Sequence, residues 1–452
     1  MVYILVLSTL ALAGSLVEID AEPKITLIAD VHILTSDGTV EGPYDVMLRD
    51  GIIEDISDIS APVLADHVVD GTGATLMPGL VDAHVHVDSM PAIPGRLHLP
   101  KTRDNFEGWL YSGITTVFDL GSDLDRIESL QRKVDRGKLS GPSVFTTGKC
   151  FGAPGGHPAS AIEATFHSPL VKLISKSMAW EVETAADVER VQVKRGATGF
   201  YKIILDQIPR DVPELSDEAL AALRQAATND SSRVIAHVGR PNDVQRALDT
   251  PVDALAHTPY TGLLSEDQVA ALASKHIPVI PTLVVWESTY QVALAKPFFG
   301  PLEQETLRRR TVRDFEANAR GRAPVEGEMA LWVEQVVDGR GERWANVRAY
   351  IDGGVEILVG SDSPNLGLSA GPSLHREIDL LAEAGMEPAD ILVAVTWANS
   401  RFIDPDARFG AIRPGFEADL LLVDGDPTED IERVHAIRAV WTDGRYVERR
   451  QR

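Results

Sequence analysis

From Leu80 onward the chain repeats one device: a short apolar run closed by a polar or ionisable residue, then a longer amphipathic stretch. Candidate strands cover Val81 to Val87, Thr115 to Leu120, Ser143 to Thr147, Gly199 to Leu205, Val234 to Val238, Ala254 to His257, Pro278 to Val284 and Val355 to Gly360. Helical stretches such as Asp217 to Thr228 and Asn242 to Asp249 lie between them. Strands alternating with helices build parallel βαβ units, because a parallel neighbour needs a crossover connection. Eight such units in this sequence predict an α/β fold closed as a (β/α)8, TIM-like barrel. Barrel chemistry sits at the C-terminal ends of the strands, so the polar residues that close the apolar runs are the first candidates.

His84-Val85-His86 lies near the end of the first run. Residues two apart on a strand share a face, so both imidazoles can ligate one metal. Lys202 sits inside Phe200-Tyr201-Lys202-Ile203-Ile204-Leu205. A charged lysine there is costly unless neutralised or paired. A neutral amine can take up carbon dioxide and become a carboxylate that bridges two metals. A lysine reaching to the rim, or into an ion pair, is the other reading. His237 closes Arg233-Val234-Ile235-Ala236, and His257 closes Asp253-Ala254-Leu255-Ala256, on consecutive strands. Each is either a ligand to a second metal or a hydrogen-bonded core histidine. Asp362 follows the last run and precedes Ser363-Pro364. It either binds metal and takes a proton from water, or caps a helix. Together these are six residues of ligating type at or near strand ends, an order and spacing hard to produce by chance.

Both flanks of the barrel read as β-rich. Asp50-Gly51 and Asp443-Gly444 are hairpin signals. We expect segments 23–78 and 405–452 to pair into one composite β-sandwich module around a barrel of 79–404. The interval 286–349 reads as a helical insertion near the barrel mouth, either a lid or a solvated helical pair. Met1 to Ala13 is nearly all apolar, and Ala11-Leu12-Ala13 resembles a small-residue cleavage site. Segment 1–22 is therefore expected to be a signal peptide directing export, although its start carries no Lys or Arg; without it the chain would be cytoplasmic. It is too short for stable membrane insertion, which takes about 20 residues.

The formal net charge of −24 excludes the basic footprint that nucleic-acid binding requires. A single cysteine, Cys150, excludes an internal disulfide and a Cys-rich zinc site; it reads as a small buried residue.

These residues resemble the amidohydrolase superfamily over nearly the whole chain after the leader. The resemblance rests on Met77-Pro78-Gly79-Leu80-Val81-Asp82-Ala83-His84-Val85-His86, Ser112-Gly113-Ile114-Thr115-Thr116-Val117, Gly360-Ser361-Asp362 and Gly410-Ala411-Ile412-Arg413-Pro414-Gly415-Phe416-Glu417-Ala418-Asp419-Leu420. Lys202 matches the carboxylated lysine of the binuclear branch. The resemblance then implies two divalent ions. His84, His86 and Asp362 hold the more buried one, His237 and His257 the outer one, and carboxylated Lys202 bridges both. Zinc is the default for this shell; manganese, cobalt or iron also fit.

The chain is similar to imidazolonepropionase-related, prolidase-like peptidases, and aryl-amide, urea and carbamate hydrolases share the style. Gly152-Ala153-Pro154-Gly155-Gly156-His157-Pro158 resembles their glycine-rich third loop, which implies that His157 donates to the scissile carbonyl. Arg240 stands where deaminase-like members carry glutamate, which argues against deamination. Gly239 and Arg240 stand where the peptidases place a tyrosine, which puts dipeptide specificity in doubt; Tyr260 serves substrate contact or structure.

The implied activity is cleavage of a C–N bond (amide, peptide, urea or carbamate) in a small-molecule substrate by a metal-activated hydroxide, with Asp362 moving the proton. A lactonase or esterase on the same two-metal centre is the alternative. A non-catalytic assembly protein is a third, disfavoured because all six candidate ligands are present. A homo-oligomer is compatible with either enzyme reading.

Overall fold

The computed structural model describes residues 15–20, 24–58, 64–89, 91, 101–165, 175, 178–320 and 327–450. The first fourteen residues of the expected leader lie outside this set.

The β-rich flanks meet in one sheet. Leu420–Asp424 pairs antiparallel with Ala74–Pro78 on one side and Ile437–Thr442 on the other, so the two ends of the chain share one ladder. The module is hydrogen-bonded as a single nine-stranded sheet. Its core includes Ile28, Val46, Leu48, Leu76, Leu420, Leu422 and Trp441. Asp50 and Gly51 have φ of 50° and 83°, and Asp443 and Gly444 have 49° and 69°. Two successive left-handed residues match the right-handed twist of the flanking strands, which makes both hairpins tight.

Two boundaries differ from the sequence reading. Val17–Ile19 pairs antiparallel with Arg445–Arg449, so the sheet begins inside the 1–22 segment set apart as a leader. A cut after Ala13 would spare this strand; a cut at residue 22 would remove it. Ala407 and Phe409, assigned to the module, pack instead with Val81, Phe118 and Phe200, residues of the parallel strands.

Parallel pairing runs from Leu80–Val85 to Ile114–Asp119 and on to Ser143–Thr146. It resumes from Cys150–Gly152 through Phe200–Ile204, Arg233–His237 and Ala254–Ala256 to Val279–Ile280. The eighth segment bonds both neighbours: Leu358 N donates to Val279 O at 2.9 Å, and Ala83 N donates to Val359 O at 3.0 Å. Asn399 braces this junction, donating to Val81 O at 2.6 Å and to Val359 O at 2.7 Å. Helices such as Asp217–Asn229 and Pro241–Asp249 follow the strands, close to their predicted bounds.

The seventh strand is shorter than Pro278 to Val284. Only Val279–Ile280 is extended, and a helix spans Leu283–Ala293. That helix buries Leu283, Val284, Val285, Trp286, Glu287, Ser288 and Thr289 in succession. A helix buried all round has no amphipathic period, so its apolar run reads as strand. Its first N–H groups are satisfied from outside: Glu377 accepts from Leu283 N at 2.9 Å and Val284 N at 2.6 Å. The insertion is helical, including Arg309–Ala319, Glu328–Asp338 and Arg340–Asp352. Glu287, on Leu283–Ala293, joins that helix to Arg340–Asp352, accepting from Arg340 Nε and Trp344 Nε1, each at 2.9 Å. Among the described residues no helix is long and apolar enough to cross a membrane.

Candidate active site

Strand alternation explains two of the six candidate ligands. On the fourth strand Tyr201 and Ile203 join the large outer core, while Phe200 joins the inner one. On the fifth, Val234 and Ala236 face outward and Ile235 inward. Period two therefore carries Lys202 and His237 to the inner face.

His257 breaks that rule. Leu255 faces the outer core and Ala254 and Ala256 the inner, so parity alone would send residue 257 outward. Its φ of 75° turns it in, and Asp362 (φ 55°) and Thr282 (φ 45°) share this left-handed backbone. Such residues cost about 1 to 3 kcal/mol each and persist only where their surroundings over-determine them. Here the strain gathers at strand ends.

The result is a continuous row of imidazoles. Ring centroids lie 5.4 Å apart for His86 and His84, 4.8 Å for His84 and His257, 4.1 Å for His257 and His237, and 4.9 Å for His237 and His157. Asp362 Oδ1 lies 2.9 Å from His86 Nε2 and 3.4 Å from His84 Nε2. Ligand atoms of His84, His257 and Asp362 fall within 4.8 Å of one another, as do those of His157, Asp206 and His237. His86 and His157 are the partly exposed members, at 33% and 14% of their side chains.

Lys202 is buried, and its Nζ has no hydrogen-bond partner among the described residues; His84 Nδ1 is likewise unpartnered. Burial pushes the Lys202 amine down from 10.5 to about 8, against the pull of Asp362. Burial, then the charge of Lys202, holds His84 well below the ordinary imidazole value. Burial and His237 do the same to His257. His237 is lowered by burial, with Asp206 pulling the other way. Burial would lower His86 too, but Asp362 raises it on balance. Mostly neutral imidazoles and carboxylates are the donor set a divalent cation takes. The orphaned buried nitrogens fit such an occupant.

The sequence reading missed Asp206, which closes the fourth apolar run as His237 closes the fifth. It also missed Thr282, whose Oγ1 lies 2.6 Å from His257 Nδ1. A carboxylate or hydroxyl on the far ring nitrogen fixes the tautomer of a ligating histidine.

A family model described as the amidohydrolase family matches residues 75–447. The chain belongs to the amidohydrolase family. This amidohydrolase is similar to ochratoxinase of Aspergillus niger, 22% identical over 465 residues, with 94% of this chain and 87% of the relative covered. It is similar to imidazolonepropionase of Geobacillus sp. (strain WCH70), 22% identical, with 87% and 85% covered. A solved prolidase complexed with N-methylphosphonate-L-proline superposes with a TM-score of 0.74 at 22% identity, covering 94% of this chain and all of that one. Such neighbours imply a TIM-like barrel with α/β content, in keeping with the parallel ladders of this amidohydrolase.

The amidohydrolase fills the space at Gly239 from elsewhere. A Cβ at 239 would lie 2.6 Å from Tyr260 Cε1 and 3.0 Å from Asp206 Cβ. The buried Tyr260 ring therefore takes room a side chain on 239 would need. Trp286 lies 5.4 Å from both His257 and Tyr260, and Trp332 of the insertion lies 5.9 Å from Tyr260. Gly239→Ala is expected to destabilise the fold by about 1 to 3 kcal/mol through overpacking. Chemical denaturation checks this, and an unchanged midpoint would mean Tyr260 can retreat.

Proposed function

We propose that this chain is a two-metal hydrolase that cleaves a C–N bond in a small-molecule substrate, on a (β/α)8 barrel. The observation that carries the reading is Lys202. It is a buried amine with no hydrogen-bond partner among the described residues, and its charge is felt by His84, His86, His237 and His257. Such an amine is neutral enough near pH 8 to add to carbon dioxide: the nitrogen lone pair forms the N–C bond, one proton leaves, and an anionic carbamate results. The anion offsets the positive charge that two cations bring.

His84, His86 and Asp362 would hold the more buried ion, His237 and His257 the other, and carboxylated Lys202 both. Divalent ions in such a shell polarise a carbonyl and bring the pKa of water toward neutrality. Asp362 takes the proton of the attacking water and returns it to the leaving nitrogen. His157 donates to the carbonyl oxygen as negative charge develops there, a contribution of about 3 to 4 kcal/mol for a well-placed donor. The aromatic cluster of Trp286, Tyr260 and Trp332 excludes water beside His257. The names ochratoxinase, imidazolonepropionase and prolidase support an amide-type substrate.

Chelation followed by dialysis is expected to abolish hydrolysis, and zinc or manganese with bicarbonate to restore it. Metal analysis alongside a panel of N-acyl amino acids, dipeptides, aryl carbamates and lactones checks the reading. Full activity in chelated, metal-free protein would refute it. A preference for lactones would keep the centre and replace the bond.

A further inference from the structure

The geometry points to Asp206 as a positioning residue that holds both His157 and His237 in register, an inference that rests on the two-metal reading above. Asp206 is fully buried, and each of its oxygens faces one ring: Oδ1 lies 2.7 Å from His157 Nδ1, and Oδ2 lies 2.9 Å from His237 Nε2. An ionised carboxylate only accepts hydrogen bonds. Both rings therefore donate to it, which fixes the neutral tautomer of His237; His157 keeps its proton on Nδ1, and to donate to a carbonyl from Nε2 as well it must carry both ring protons, as an imidazolium facing the Asp206 carboxylate. His237 is left with Nδ1 as its lone-pair nitrogen, the atom available to a cation. His157 is left with Nε2 free of any hydrogen bond to the described residues. The rings stand 4.9 Å apart at 73°, so one carboxylate sets the angle between a cation ligand and a carbonyl donor. A side chain at position 239 would crowd this carboxylate, since a Cβ there would lie 3.2 Å from Oδ2, and glycine leaves that room to Asp206. Each oxygen faces one imidazole, the arrangement of a carboxylate that orients ligating histidines. His257 has a separate orienter in Thr282, which supplies an internal control.

The test uses the purified full chain, stripped of metal and titrated with zinc. Asp206→Asn should weaken one of two zinc sites by about 10- to 100-fold, the usual effect of losing such a partner, and should lower kcat more than it raises KM. His157→Ala should reduce kcat in the wild type and equally in Thr282→Ala, but add little in Asp206→Asn, since His157 has already lost its alignment there. If Asp206→Asn does not fold, Asp206→Glu, which keeps the charge and lengthens the arm, gives the same readouts. Wild-type zinc affinity in the Asp206 variant, with His157→Ala costing the same factor in all backgrounds, would overturn the inference alone. Wild-type protein that takes up no zinc would sink the two-metal reading itself, and this inference with it.

Discussion

Asp362→Asn is expected to cut kcat by about 100- to 10,000-fold, the range that a positioned proton-transfer group contributes. The substitution keeps the shape and removes the proposed base. Asparagine tolerates the left-handed backbone (φ 55°) better than most residues, so the local turn should survive. The backbone anchor is also independent of the side chain: Asp362 N donates to His84 O at 2.7 Å. Asn365 Nδ2, which donates to Asp362 Oδ2 at 3.1 Å, still finds an acceptor in the amide oxygen. Loss of one anionic ligand should also weaken metal binding. Steady-state kinetics at saturating zinc, with thermal unfolding as the fold control, separates these effects. Normal turnover with metal bound would remove Asp362 from the proton path.

Lys202→Met should act in two opposite directions. Metal affinity should fall by more than about 100-fold, because even partners outside the coordination shell are worth 10- to 100-fold. Hydrolysis should fall with it. Yet the metal-free variant should be more stable than metal-free wild type. An unpartnered buried amine is costly, and a thioether of similar length removes that cost. The pH dependence follows from the same shift. The folded amine sits at about 8 and the unfolded one at 10.5. Between these values the unfolded chain holds the extra proton, so the stability of metal-free wild type rises with pH across that window. Lys202→Met should lack this rise. Reconstitution with zinc and bicarbonate should quicken in the wild type as pH approaches and passes 8, because only the neutral amine adds carbon dioxide. Denaturant unfolding of both metal-free proteins from pH 7 to pH 10 measures the first effect, and stopped-time activity recovery the second. Identical pH profiles would mean that Lys202 is paired.

Much of this architecture was legible because it is written in local periods. Apolar runs of strand length spaced by helical stretches predict parallel ladders. The two Asp-Gly pairs predict the hairpins that join the flanking sheet. Where the period fails, the reading fails with it. The helix Leu283–Ala293 is buried on nearly every side and looks like strand. Val17–Ile19 sits inside the 1–22 segment, just past its apolar run, and gives no sign of its partner more than four hundred residues away.

The same division holds at the site. The sequence by itself determined which side chains are able to take part: the imidazoles and the aspartate lie at or near the ends of apolar runs, the lysine lies inside one, and period two sends Lys202 and His237 inward. Tertiary structure alone decided that His257 turns against its strand's parity, that Asp206 reaches both His157 and His237, and that Tyr260 takes the room beside Gly239. Alternation is a property of a few consecutive residues. A left-handed turn, a shared carboxylate and a borrowed ring exist only because separate strands close on one another and leave those positions no other place to go.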